Sequence, residues 1–152
     1  MKMSANTSES IKPVELKSLK PIKTKTIKET IIIAAEQRRI YDALTNPRIH
    51  SKLTGSKAKG TDKLGKFSTY DGYSFGENKI LKRNRKIVQT WSCAEWSEGH
   101  FSEVTFELKP GQGATKLVFT QTNVPASQYS SIMEGWKKFY WGPLKKLLES
   151  DD

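Results

Sequence analysis

The spacing of apolar residues changes several times along the chain, and each spacing predicts a different element. Residues 1–24 mix Ser, Thr, Lys and two prolines with little apolar periodicity, which is typical of a flexible basic leader. Alternating apolar and polar positions, rich in β-branched residues, predict a strand over residues 25–33. Helical spacing follows over residues 34–44 and ends at Asn46-Pro47, where a second short helix over 47–53 is expected to begin.

The middle of the chain predicts a series of strands separated by turn-forming residues. These strands are expected at residues 66–70, 73–81, 85–93, 101–108 and 115–122. The Asp71-Gly72 pair indicates a two-residue hairpin turn between the first two. Because every connection is short, the strands are expected to pair with their neighbours as an antiparallel meander that curls into a bent sheet.

The C-terminal segment carries the strongest pattern. Its apolar side chains recur at helical spacing, which predicts a long amphipathic helix with a wide aromatic stripe that needs a sheet to pack on. Ser127 or a neighbour is expected to cap this helix, and Gly142-Pro143 is expected to bend it. The fold class is therefore α+β, with residues 25–150 as one domain.

Charge is the clearest feature of the composition. The 152 residues include 26 Lys and Arg against 16 Asp and Glu, a formal net charge of +10, and residues 45–86 alone hold eleven basic and three acidic residues. Such a block can steer an acidic partner, although a solvated lysine-rich surface gives the same count. No zinc-finger, helix-turn-helix or RNP-type motif accompanies the charge, so no nucleic-acid partner is expected.

Residues suited to catalysis or metal binding are few. His50 and His100 lie in different segments, without an acidic cluster at ligand spacing. Cys93 is the only cysteine, and it shares the strand parity of Ile87 and Trp91, which favours a buried and inert thiol. We therefore expect no enzyme, no metal and no cofactor.

The hydropathy pattern also bears on location. The longest apolar run, residues 31–35, is far shorter than a membrane-spanning helix requires, and no secretory signal opens the chain. A cytoplasmic protein without a membrane partner is expected. A single cysteine is consistent with a reducing compartment.

The aromatic stripe of the C-terminal helix has two interpretations. Its side chains either fill the core, which is the usual meaning of helical spacing, or line a pocket for a small apolar ligand between helix and curved sheet. The candidate cavity-lining residues are Trp91, Phe106, Met133, Trp136 and Tyr140. A cavity of roughly 300 Å³ or more would favour the second interpretation.

Three motifs carry a resemblance to a known family. They are Gly65-Lys66-Phe67 with Asp71-Gly72, the run from Trp96 to Phe101, and Gly135-Trp136-Lys137-Lys138-Phe139-Tyr140-Trp141. Over roughly residues 23–149 the chain resembles the C-terminal domain of the activator of heat shock protein 90 ATPase. The order of a first strand, two short helices, a meander of six strands and a long helix is similar to the helix-grip fold of the START/Bet v 1-like superfamily.

The resemblance implies a co-chaperone that binds heat shock protein 90 through the chaperone's N-terminal domains and stimulates or modulates its ATPase cycle. The family's separate N-terminal domain, with its Asn/Trp/His-rich motif, has no counterpart in this sequence, so a weaker activator or a modulator is expected. The candidate partner-binding residues are Lys52, Lys57, Lys59, Lys63, Lys66, Trp96 and His100. Trp96 is expected at a hairpin tip, either folded onto the sheet or exposed as an anchor.

Overall fold

A computed structural model of the protein describes residues 22–149, which form six strands and four α-helices. The elements in chain order are β1 (Thr24–Ile33), α1 (Gln37–Thr45), α2 (Pro47–Thr54), β2 (Gly65–Thr69), β3 (Ser74–Lys82), β4 (Lys86–Cys93), β5 (Ser102–Pro110), β6 (Thr115–Pro125), α3 (Tyr129–Trp136) and α4 (Gly142–Glu149). The predicted leader lies outside the described residues as far as residue 21, and Thr24, its last residue, begins β1 instead. None of the helices among residues 22–149 is long and apolar enough to cross a membrane.

All six strands form one antiparallel sheet in the order β1-β6-β5-β4-β3-β2. The meander therefore has five strands rather than six, because β1 joins the sheet from before the two short helices. β1 and β2 are the two edges. The register places Phe106 opposite both Ile87 and Phe119, so apolar side chains of β4, β5 and β6 form one row across the sheet.

The turn between β2 and β3 is longer than predicted. Thr69 and Ser74 are the last paired residues, so four residues connect the strands rather than two. Tyr70, Asp71 and Gly72 all have positive φ, a conformation that Tyr rarely adopts. Long-range contacts hold the loop, since the Asp71 amide donates to the carbonyl of Lys57. A local turn signal contains no information about such contacts.

The C-terminal helix is interrupted where proline was expected to disturb it. Residues Lys137–Trp141 form a π-helical turn between α3 and α4, closed by the Gly142 amide bonding the Lys137 carbonyl. Pro143 has no amide hydrogen to offer the carbonyl of Phe139, four residues earlier, and the Tyr70 hydroxyl donates to that oxygen at 3.0 Å instead. This bond ties the β2–β3 loop to the helix.

The prediction that Ser127 or a neighbour caps the C-terminal helix is wrong. The helix continues from a 3₁₀ turn, Ala126–Gln128, and no side chain caps α3. The Ala126 amide instead donates to the carbonyl of Lys23 beside β1, which satisfies one group of this turn through tertiary structure.

The core lies between the helices and one face of the sheet. Val104, Phe106 and Leu108 are buried there, which confirms the predicted inward face of β5. Trp136 packs on Phe119 with ring centroids 4.6 Å apart. Other core side chains are Ile27, Ile33, Ile40, Leu117, Trp141, Leu144 and Leu148. The helix-grip architecture follows, because the aromatic stripe of the C-terminal helix is covered by the curved sheet.

Candidate functional site

The lysine-rich segment between α2 and β2 lies at the surface. Lys52 lies in the last turn of α2, Lys66 lies in β2, and the other three candidates occupy the connection between these elements. All five candidate lysines, Lys52, Lys57, Lys59, Lys63 and Lys66, are exposed. We call the connection, residues 55–64, the lysine loop.

The lysine loop is held by buried polar side chains of the sheet. The side-chain amide of Asn78 on β3 donates to the carbonyl of Lys63 at 2.9 Å and lies 3.2 Å from that of Gly60. Gln89 on β4 donates in turn to the Asn78 side-chain oxygen at 2.8 Å. The Thr61 hydroxyl donates to a carbonyl of α1 at 2.7 Å. The loop backbone is therefore fixed while its lysine side chains remain in solvent.

Sequence reasoning missed the bracing role of Asn78. The sequence does contain an indication of this role. Asn78 is a polar residue at a position of β3 that faces the core, where strand alternation predicts an apolar residue. A buried amide at such a position requires partners, and the carbonyls of the lysine loop supply them. Lys59 adds two backbone hydrogen bonds with Ser68, which extend the sheet by a short bridge beside β2.

Trp96 is folded onto the sheet rather than exposed. It is 7% exposed and packs edge-to-face on Trp91 at 5.3 Å and on His100 at 5.5 Å. An Nε2 hydrogen bond joins His100 to the carbonyl of Asn123 at 2.9 Å. These two candidate partner-binding residues therefore anchor the loop between β4 and β5, and Trp96 offers little surface to a partner.

A groove of about 780 Å³ lies between the C-terminal helix and the sheet. Its lining residues are Tyr70, Tyr73, Ser74, Trp91, Glu95, Gln128, Ser131, Ile132, Gly135, Trp136, Phe139 and Tyr140. Tyr73 and Phe139 are partly exposed, so the groove is open to solvent along one side. The volume exceeds what the ligand-binding hypothesis required.

The predicted lining residues separate into two groups. Trp91, Trp136 and Tyr140 line the groove. Phe106 lies deeper and borders a void of only about 20 Å³, and Met133 packs partly buried against the core. The aromatic stripe thus serves as core and groove wall together, because Trp136 and Tyr140 belong to the buried core and also line the groove.

Three tyrosine hydroxyls and the Glu95 carboxylate are among the polar groups of the groove lining. The Tyr73 hydroxyl donates to the Glu95 carboxylate at 2.5 Å. Burial is the main cause of a raised pKa of Tyr73, and this hydrogen bond raises the pKa further. Burial also raises the pKa of Tyr70 to about 12. All three tyrosines that line the groove therefore remain neutral at physiological pH, since burial raises the pKa of Tyr140 as well.

No metal centre is assembled in the described part of the chain. No three His, Cys, Asp or Glu side chains converge within residues 22–149. Cys93 is buried, and its burial raises the pKa of the thiol, which keeps it protonated at neutral pH. The arrangement supports binding, through an exposed cationic loop and an apolar groove.

Comparison with known proteins places these features in a family. Residues 34–149 match the family model described as Activator of Hsp90 ATPase homolog 1-like protein. The human activator of 90 kDa heat shock protein ATPase homolog 1 is 30% identical over 122 residues, covering 80% of this chain and 36% of the human protein. The Dictyostelium discoideum homologue is 34% identical over 117 residues, covering 76% and 30% of the respective chains.

A solved structure shows the same similarity. The crystal structure of an HSP90 activator from Plasmodium falciparum superposes with a TM-score of 0.74 at 27% identity, covering 80% of this chain and 94% of the other. The chain spans about a third of the length of the curated relatives it matches. On the family match and these relatives, the chain belongs to the family of proteins like the activator of Hsp90 ATPase homolog 1.

Proposed function

We propose that this chain binds a chaperone of the heat shock protein 90 class and modulates its ATPase cycle through contact with the chaperone's N-terminal domains. The observation that carries the proposal is the exposed lysine loop, braced from within, on a domain of the activator family. The names of the relatives describe activators of the 90 kDa heat shock protein ATPase. In this proposal the chain is a regulator and performs no chemistry of its own.

The mechanism is differential binding. A protein that binds one conformation of the chaperone more tightly than another shifts the equilibrium toward the first. Exposed lysines accelerate encounter with an acidic surface and make binding depend on salt. Because Asn78 already fixes the loop backbone, ordering it on binding costs little conformational entropy.

Charge reversal in the lysine loop tests this proposal. Lys57, Lys59 and Lys63 are replaced together by Glu, and binding to the chaperone with a non-hydrolysable ATP analogue is measured by calorimetry beside a steady-state ATPase assay. We expect affinity to fall by about tenfold or more and the salt dependence to become shallower. A change in ATPase rate on adding the unaltered chain, lost in the variant, supports modulation.

The matched control reverses three exposed lysines at the opposite side of the sheet. Lys28, Lys109 and Lys116 lie on β1, β5 and β6 and carry the same total charge. Their replacement by Glu is expected to change affinity by no more than about twofold. Equal losses in both triple variants would mean that only net charge matters, and an unaltered chain that fails to bind at micromolar concentration would refute the proposal.

The groove favours a second candidate function, transport or sensing of a small apolar ligand. Its volume of about 780 Å³ lies within the range of small-molecule sites, and aromatic side chains dominate its walls. Trp91 and Trp136 would report an occupant directly through their fluorescence.

A groove-filling substitution tests this second function. Gly135 lines the groove, and a side chain added there meets only Phe139, at 4.0 Å from the new Cβ. We expect oleate or anilinonaphthalene sulfonate to change tryptophan fluorescence saturably in the unaltered chain and not in Gly135→Leu. Ser130→Leu is the control, because Ser130 is exposed on the same helix outside the lining. No response from the unaltered chain would contradict the ligand hypothesis.

A further inference from the structure

Two phenylalanines are exposed on the face of the sheet turned away from the helices. Phe75 follows Ser74, which lines the groove, so the strand alternation directs Phe75 to the opposite face. Phe75 and Phe101 are 37% and 38% exposed, and their rings meet edge-to-face at 5.9 Å. This face is solvated in the described part of the chain, so a strand position that ordinarily carries a polar residue carries an aromatic ring instead.

The two rings border a surface depression of about 470 Å³. We call it the Phe75–Phe101 depression, and its lining residues are Lys66, Phe67, Phe75, Gly76, Glu77, Thr90 and Phe101. A Cβ added at Gly76 would lie 1.9 Å from the Thr90 carbonyl oxygen. The close approach of β3 and β4 at this glycine therefore requires Gly, and the depression is part of the folded sheet.

Phe101 is held in position by the end of the β5–β6 pair. The Asn123 side-chain amide donates to the Phe101 carbonyl at 2.9 Å, and Asn123 itself adopts positive φ. On the other side of Phe101, His100 bonds the Asn123 carbonyl and packs on Trp96. The Trp96-to-Phe101 motif thus places its last aromatic ring at the surface while its first is buried. A ring fixed in this way is suited to contact a partner without an entropic cost of ordering.

Charges of both signs lie around the depression: Lys66 and Lys79 lie near Glu77, and the exposed Glu103 is opposite Thr90 in the β4–β5 pair. Glu77 is the only acidic residue in the lining, and Lys79 bonds its carboxylate at 2.9 Å and lowers its pKa. Lys66 lies directly opposite Glu77 in the β2–β3 pair, and its charge contributes to lowering the pKa of Glu77. Ser68 connects the depression to the lysine loop, because it pairs with Phe75 on one side and with Lys59 on the other. The apolar centre is therefore continuous with the cationic loop.

We propose that the Phe75–Phe101 depression and Lys66 form a docking site for an acidic segment of the chaperone, with one large apolar side chain of that segment inserted between the two rings. The inference rests on the proposed function, since it names the contact that the lysine loop guides. An apolar centre surrounded by charge is the usual anatomy of a specific interface. Charge complementarity selects the acidic partner, because the exposed lysine loop that adjoins the depression is cationic.

Three single substitutions test the site by calorimetric titration into the chaperone. Phe75→Ser and Phe101→Ser are each expected to weaken binding about tenfold, because both remove an apolar wall of the depression. Lys66→Glu is expected to weaken binding and to make its salt dependence shallower. Ile32→Ser is the control, since Ile32 is an exposed apolar strand residue at the opposite edge of the sheet. Thermal unfolding verifies that each variant is folded. Because Phe101 lies outside the strands, Phe101→Ser still tests the site if Phe75→Ser fails to fold.

The outcomes separate the two proposals. Losses in both Phe variants with an unaltered control support the docking site. Binding by the unaltered chain that is equally strong in all four variants overturns the docking site and leaves the proposed function standing. A chain that does not bind the chaperone at all overturns the proposed function, and the docking site with it.

Discussion

Protonation of His50 is a perturbation whose effect on stability follows from the structure. His50 lies on α2 and is 2% exposed, and its Nε2 atom is 3.1 Å from the Tyr140 hydroxyl of the C-terminal helix. Its Nδ1 atom is buried without a hydrogen-bond partner in the part of the chain that the structure describes. A charged imidazolium would have to bury two donors, and burial accordingly lowers the pKa of His50 from 6.5 to about 4.

The sign and size of the effect follow from linkage. In the unfolded chain His50 takes up a proton with a pKa near 6.5, whereas in the folded chain it is protonated only near pH 4. The stability contributed by neutral His50 is therefore complete above pH 6.5 and is lost as the pH falls toward 4. The complete loss corresponds to about 3 kcal/mol, and roughly 2 kcal/mol is lost by about pH 5.

Urea unfolding near pH 7.5 and pH 5 measures this loss. We expect the unaltered chain to lose roughly 2 kcal/mol more than His50→Gln between the two pH values, because Gln takes up no proton. His100→Gln is the control and is expected to retain the pH dependence of the unaltered chain. Parallel pH dependences of the unfolding free energy in the unaltered chain and in His50→Gln would show that burial does not lower the pKa of His50.

Three further substitutions test the packing. Gln121→Leu should lower the unfolding free energy by about 2 kcal/mol in a urea titration, because the buried Trp136 indole N–H loses its acceptor at 2.8 Å; an unchanged midpoint would contradict this. Gly60→Ala should lower the melting temperature by several degrees, roughly 1–3 kcal/mol, since its Cβ would lie 2.3 Å from a β2 carbonyl oxygen and its φ is +70°; a stabilised variant would be inconsistent with that contact. Tyr70→Phe should cost about 1 kcal/mol by removing the donor to the Phe139 carbonyl, and calorimetric melting that matches the unaltered chain would show that the bond contributes nothing.

The fold follows from the sequence wherever one strand or helix face meets the core. Alternation in β5 identified Val104, Phe106 and Leu108, and helical spacing identified the side chains of the C-terminal helix that the sheet covers. These patterns are local and repeat over many residues, so a few exceptions leave the prediction intact. The residue pattern predicts five strands after the short helices, as observed, whereas the resemblance implied a meander of six. The sixth strand of the sheet is β1, and no local pattern records its distant pairing with β6.

The candidate site was predictable only in part, because its decisive contacts are long-range. The exposure of the candidate lysines could be predicted directly from their charge. Burial of Trp96 depends on Trp91 in the preceding strand, and the brace of the lysine loop depends on Asn78, fifteen residues after Lys63. Phe75 resembled any other apolar strand residue until the sheet determined which face it occupies.

Hydrogen-exchange mapping of this chain, alone and saturated with the chaperone in its ATP-analogue state, is the most direct test of the central claim. The account predicts slower exchange in the lysine loop, in β2 and around Phe75 and Phe101, with β1 unaffected. Unchanged exchange throughout, or protection confined to the groove residues of α3, would contradict it.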